Sequence, residues 1–141
     1  MKKFLSAALI ALVVTFAANV CAAYDYDNDS DYVFVTTGQQ GSYYLSLKSI
    51  DVQEYNPPHY QIAGTFVHVY GLGDGRKERW FSVIKRYNWY TKETFGRDEN
   101  GYWRKEEIGN RNDNGLGAGA RERKMADALF RAAYGIDFYG Y

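Results

Sequence analysis

Few side chains in this sequence have the types and the spacing that catalysis or metal binding requires. The 141 residues include two histidines, His59 and His68, and a single cysteine, Cys21. A zinc site needs several such ligands at suitable spacing, and the sequence offers no cluster of them. The nucleophile motif G-x-S-x-G is also missing. We therefore predict a non-enzymatic protein without a catalytic site, a metal site or a cofactor.

Carboxylates offer two further possibilities for chemistry. Asp25 and Asp27 begin like a calcium loop, but the loop requires Gly at its sixth place and Glu at its twelfth. Ser30 and Thr36 occupy those places, so we interpret residues 24–31 as an acidic, flexible leader in solvent. The adjacent pairs at 98–99 and 106–107 are typical of solvated carboxylates; a hydrolase would need one of them to meet a histidine in a cleft.

Residues 1–23 have the parts of a cleavable bacterial secretory signal peptide. Lys2 and Lys3 supply the positive start, and residues 4–18 form an uncharged, mostly apolar run. That run is shorter than the ~20 residues that a membrane-spanning helix needs. We predict cleavage after Ala23 and an exported chain with no membrane span after cleavage, which is periplasmic, on the outer surface or secreted.

Cys21 leaves an alternative open, because a cysteine at this point can be lipidated. The lipidation signal prefers Gly or Ala directly before the cysteine and Leu three places before it. This chain has Val20 and Ala18 there, so we favour simple cleavage. Cleavage after Ala23 removes the only cysteine and leaves a domain without disulfide bonds.

Cations and aromatic rings alternate in the second half of the chain. The candidate binding surface comprises Arg79, Trp80, Arg86, Trp89 and Tyr90. Such a pattern can stack nucleic-acid bases, but nucleic-acid binders carry a basic excess. Once the signal peptide takes two of the 17 basic residues, 15 remain against 17 acidic ones. We therefore predict no nucleic-acid partner and interpret the segment as an amphipathic strand whose basic outer face binds a protein or a glycan.

Hydrophobic patterns indicate the elements that must position these side chains. Runs of β-branched and aromatic residues, separated by turns rich in Gly, Pro and Asn, predict five or six strands in an antiparallel meander. These runs cover residues 32–37, 42–49, 60–70, 79–91, 93–97 and 102–106. The run 60–70 is apolar on both faces, which is typical of a central strand that is covered on two sides.

The last third of the chain has a helical pattern. Over residues 118–134 apolar side chains recur at helical spacing with cations opposite them, and Gly135 follows as a C-terminal cap. One helix after a series of strands predicts the α+β class. We expect residues 32–141 to form a single domain, in which the antiparallel meander sheet packs on this C-terminal helix.

The first strands also carry a family resemblance. Tyr32-Val33-Phe34-Val35, followed by the segment GSYYLSLKSI at residues 41–50, resembles the bacterial surface-adhesin E family. The apolar strand at 65–70 and the late helix add to this likeness. The resemblance implies an antiparallel sheet packed on a C-terminal helix outside the cell, and a role as an adhesin that binds host matrix and plasma proteins.

Two functions follow as expectations. The first is a secreted or cell-envelope binding module with an adhesin-like protein–protein interaction, whose partner is an unidentified protein or envelope component. The second is a periplasmic structural or small-ligand-holding protein, with a pocket between sheet and helix that is lined by Phe66, Trp80 and Phe130. The sequence indicates no oligomeric state.

Overall fold

The fold places one helix on a six-stranded antiparallel sheet. The computed structural model describes residues 23–71, 73–109 and 117–140, so the predicted signal peptide lies outside the described residues except for Ala23. The strands are β1 (Tyr32–Gly38), β2 (Gly41–Asn56), β3 (His59–Tyr70), β4 (Lys77–Asn88), β5 (Glu93–Arg97) and β6 (Trp103–Lys105). They follow one another in the order β1-β2-β3-β4-β5-β6. The predicted α+β meander is confirmed.

The helix α1 (Ala118–Tyr134) begins and ends at the residues that the sequence pattern predicts. Gly135 closes it in the left-handed conformation, and its backbone N–H donates to the Arg131 carbonyl at 2.7 Å. Within the described ranges, no helix has both the length and the apolar character that crossing a membrane would require.

The main core lies between the sheet and α1. Its fully buried side chains are Leu45, Ile62, Phe66, Tyr87, Met125, Ala126, Leu129, Phe130 and Phe138. Each large apolar side chain of this kind contributes about 1.5–3 kcal/mol by leaving water. A Cβ at Gly64 would lie 2.6 Å from Leu129 Cδ1, so the missing side chain there lets the helix approach the centre of β3.

The second face of the sheet is covered at one end by residues 24–31, which corrects the prediction of a leader wholly in solvent. Tyr26 is only 3% exposed, and its ring stacks on Tyr44 at 5.2 Å and packs against Val67. Asp27 accepts a hydrogen bond from the Tyr44 hydroxyl at 3.0 Å. One buried aromatic ring within a run of exposed carboxylates is enough to attach this segment to the sheet.

Candidate ligand-binding groove between the sheet and the helix

The five residues of the predicted binding surface do not form one surface. Because side chains alternate along a strand, Arg79 faces the helix side of β4, while Trp80 and Arg86 lie on the outer face. Those two are six residues apart, about 20 Å along the strand. Trp89 packs against the core, and Tyr90 is 83% exposed in the turn after β4. The prediction therefore combined residues from opposite faces of the sheet.

A groove of about 500 Å³ runs along the helix-facing side of β4. This volume is within the usual range of small-molecule sites, roughly 300–1,000 Å³. Its floor consists of alternate residues of β4, and the first turns of α1 form the opposite wall. The residues that line it include Tyr43, His68, Arg79, Phe81, Val83, Lys85, Glu106, Arg121, Glu122 and Met125.

One end of the groove is cationic and aromatic. Tyr43, His68 and Arg79 are neighbours in register on β2, β3 and β4. The rings of Tyr43 and His68 are parallel, with centres 4.2 Å apart, and the guanidinium carbon of Arg121 lies 5.7 Å from the Tyr43 ring. Two arginines thus meet beside a stacked pair of rings.

The environment of His68 disfavours its protonated form. Burial lowers the pKa of His68 below its ordinary value of 6.5, and the positive charges of Arg121 and Arg79 lower it further. Its Nε2 atom is buried and has no hydrogen-bond partner among the described residues. The cationic end therefore combines a buried imidazole nitrogen that has no partner among the described residues with two nearby guanidinium groups.

A buried ion-pair cluster closes the other end. The Lys85 side chain is 2% exposed, and its ammonium group donates to Glu106 and, at 3.1 Å, to Glu122 Oε2. The backbone N–H of Glu106 donates to the Thr94 carbonyl at 2.9 Å. A Cβ at Gly96 would lie 2.8 Å from Glu106 Oε1, so glycine leaves space for this carboxylate to reach Lys85.

The two Lys85 partners differ in their exposure to solvent. The Glu106 side chain is 12% exposed and that of Glu122 is 29% exposed. The second oxygen of Glu106, Oε2, is buried without a hydrogen-bond partner among the described residues. This end of the groove therefore offers a buried acceptor as well as a neutralised cation.

Apolar side chains line the middle of the groove. Phe81 stacks on the core residue Phe66 at 5.9 Å, and Val83 and the buried Met125 complete the apolar stretch. From Arg79 to Lys85 the floor spans six residues of strand, or about 20 Å. The groove is therefore amphipathic along its length.

This geometry does not assemble a histidine–carboxylate pair. His68 lies opposite Arg79 in register, whereas both carboxylates are held at Lys85. The charges that act on His68 are those of Arg121 and Arg79, not those of the two glutamates. Among the described side chains, no three His, Cys, Asp or Glu residues converge as metal ligands would.

Sequence reasoning missed the residues of the ion-pair cluster. Lys85 lies on the same face of the strand as the apolar residues Phe81, Val83 and Tyr87, and this alternation could have indicated that its side chain is buried. The interpretation of Glu106 as solvated failed because its partner is 21 positions away in sequence.

The predicted pocket also needs correction. Phe66 and Phe130 are fully buried core residues, and Trp80 lies on the outer face. A groove between sheet and helix does exist, but other residues line it.

No family model, curated protein or solved structure matches this chain in the three comparisons with known proteins. The resemblance to the surface-adhesin E family, the export of the chain and an adhesin-like interaction therefore stay predictions. Function has to be inferred from the geometry of the site itself.

Proposed function

We propose that the protein is an exported, non-enzymatic binding module that holds a small anionic ligand with an apolar body in this groove. The observation that carries the proposal is the distribution of charge along the groove. Arg79 and Arg121 line one end together with His68, whose Nε2 has no partner among the described residues, and an apolar floor follows. Concave sites with apolar walls and a few convergent polar groups are the usual form of small-ligand sites.

The cationic end favours a negatively charged group. Arg79 makes no ion pair with any described residue, and Arg121 has one, a part-buried contact of 3.4 Å with Glu122, whose other oxygen pairs with Lys85. Arginine holds a carboxylate or sulfonate through paired hydrogen bonds. A bound anion would also offset the repulsion that the two guanidinium groups exert on a protonated His68.

The other end fixes the direction in which the ligand lies. At Lys85 two carboxylates surround one ammonium group, so a second anion is disfavoured there. The free Oε2 of Glu106 accepts a hydrogen bond instead, which suits a hydroxyl or amino group of a longer ligand. The anionic group therefore lies near His68 and the apolar body lies over Phe81.

A matched pair of probes tests this proposal. 4-Phenylbutyrate carries an anionic group on an apolar body, and 4-phenylbutanol is its neutral counterpart. Titration of the ¹⁵N-labelled mature chain (residues 24–141) should shift the amide signals of His68, Arg79 and Arg121. For a ligand of this size we expect a dissociation constant on the order of 1 mM. One ion pair at the protein surface contributes at most about 1 kcal/mol, so the alcohol should bind about fivefold more weakly than the acid.

Three arginine variants distinguish binding in the groove from non-specific binding to the protein. Arg79→Gln and Arg121→Gln should each weaken binding of 4-phenylbutyrate by about fivefold and bring it close to the alcohol. Arg131→Gln, the same change farther along α1 at an exposed ion pair with Asp137, is the matched control and should bind as the wild type does. Equal affinity for acid and alcohol, or equal losses in all three variants, would refute the proposed site.

A further inference from the structure

The outer face of the sheet, opposite α1, carries an ordered ladder of polar side chains. Gln53 Nε2 donates to Asp51 Oδ2 at 3.2 Å, and Gln61 Nε2 donates to Gln53 Oε1 at 2.7 Å. Arg86 Nε in turn donates to Gln61 Oε1 at 2.8 Å. The ladder crosses β2, β3 and β4, and it lies at the surface. Surface side chains that are held in this way lose little conformational entropy when they bind a ligand.

Two arginines meet at the end of this ladder. The guanidinium carbons of Arg86 and Arg97 lie 4.0 Å and 5.8 Å from the centre of the Trp103 ring, hence no more than 9.8 Å from each other. Arg97 and Trp103 are partners in register on β5 and β6. The Nε of Arg97 donates to the Gly101 carbonyl at 3.0 Å. We call Arg86, Arg97 and Trp103 the outer arginine patch.

The outer arginine patch has a net positive charge that no described carboxylate neutralises. The neighbouring cations Arg104 and Lys105 each have a carboxylate partner, Asp98 and Glu93 respectively. Neither Arg86 nor Arg97 has one among the described residues, and the terminal amino groups of both remain available as donors. Contact with Trp103 orients the Arg86 guanidinium, so this patch is arranged for planar anions such as carboxylates, or for sulfates.

The surroundings of the patch are rich in amide and hydroxyl groups. Thr65 and Ser82 share a hydrogen bond of 2.9 Å on the same face, two rows along the sheet from Gln61 and Arg86. Apolar side chains lie beside these polar groups: Phe95 is the partner of Arg86 in register, and Ala63 and Ile84 pair in the next row of the same face. Guanidinium and amide groups beside the Trp103 ring suit a polymer that has acidic groups on hydroxyl-rich rings, and the Asp51 carboxylate lies at the far end of the ladder from the arginines.

We propose that the outer arginine patch binds an acidic polysaccharide, with Arg86 and Arg97 contacting acidic groups on neighbouring sugars and Gln61 contacting hydroxyl groups. This site is independent of the groove, because it lies on the other face of the sheet. Dispersed anionic contacts make such binding sensitive to salt. Carboxylated and sulfated chains share the required chemistry, and the experiment distinguishes them.

Affinity electrophoresis of the mature chain through native gels that contain dextran sulfate, alginate or neutral dextran tests the proposal. Dextran sulfate or alginate should retard the protein, and the choice between them identifies the acidic group. Dextran should leave its mobility unchanged. Arg86→Gln and Arg97→Gln should each weaken binding about threefold to tenfold, and raising the salt concentration should weaken it further.

The matched control is Arg104→Gln, which removes the same charge from β6 at a residue that is already paired with Asp98. It should reduce retardation much less than Arg86→Gln does. Thermal unfolding midpoints of the variants should match that of the wild type, because both arginines are exposed. No retardation by either acidic polymer, or an equal effect of all three substitutions, would overturn the proposal.

Discussion

Replacement of Lys85 by methionine is the most informative perturbation of the fold around the groove. The side chain is almost completely buried, and its ammonium group forms ion pairs with both Glu106 and Glu122. Removing one partner of a buried ion pair costs about 3–5 kcal/mol, mainly because the remaining charge is left uncompensated. Since Glu122 is partly exposed and can be hydrated, we expect the lower end of that range, about 3 kcal/mol.

The expected loss corresponds to a fall in Tm of about 10–15 °C for a domain of this size. Urea unfolding followed by tryptophan fluorescence measures it, because Trp89 packs against the core. The control is Lys85→Met combined with Glu106→Gln and Glu122→Gln, which removes the charges together. Replacing a whole buried ionic group is often close to neutral, so the triple variant should recover most of the stability.

Two results would refute this reasoning about Lys85. A single variant within about 1 kcal/mol of the wild type would mean that the carboxylates are adequately solvated without their cation. A triple variant no more stable than the single variant would mean that the aliphatic part of the lysine, and not its charge, supports the structure.

Three other predictions concern stability. Gly64→Ala should cost about 1–3 kcal/mol in chemical denaturation, because its Cβ would meet Leu129; an unchanged midpoint would contradict the close approach of α1. Burial raises the pKa of Asp127, so Asp127→Asn, which keeps an acceptor for the Tyr139 N–H, should be more stable at pH 7. That advantage should shrink as the pH falls and the wild-type carboxyl is protonated. The pKa of His68 is lowered below 6.5 by burial, so the wild type should lose stability as the pH falls below 6.5, and His68→Phe should not show this contribution. If the Tm of Asp127→Asn changes with pH in parallel with that of the wild type, the raised pKa of Asp127 is contradicted. The same result for His68→Phe would contradict the lowered pKa of His68.

The fold could be predicted from sequence because its signals are local. Alternation with a period of two indicated β3 and β4, and helical spacing gave both ends of α1. Gly64 shows what such patterns leave out. Its place in the alternation indicates the buried face, but only the packed structure shows that Leu129 occupies the space where a side chain would be.

The candidate sites depend on contacts that local patterns do not reveal. Lys85 is separated by 37 positions from its partner Glu122. Arg86 meets Trp103 only because β5 and β6 fold back beside β4 in a particular register. Neighbouring residues of a strand point to opposite faces of the sheet, so the sequence alone shows that Arg79 and Trp80 cannot belong to one binding surface.

Titration of His68 by NMR, with and without saturating 4-phenylbutyrate, tests the proposed ligand site most directly. In the free protein the imidazole should titrate below 6.5, because burial and the charges of Arg121 and Arg79 disfavour its protonated form. A carboxylate bound between those arginines should raise the pKa of His68, since the anion stabilises the imidazolium. An identical titration curve in the presence of bound ligand would show that the anionic group lies elsewhere and would contradict the account of the groove.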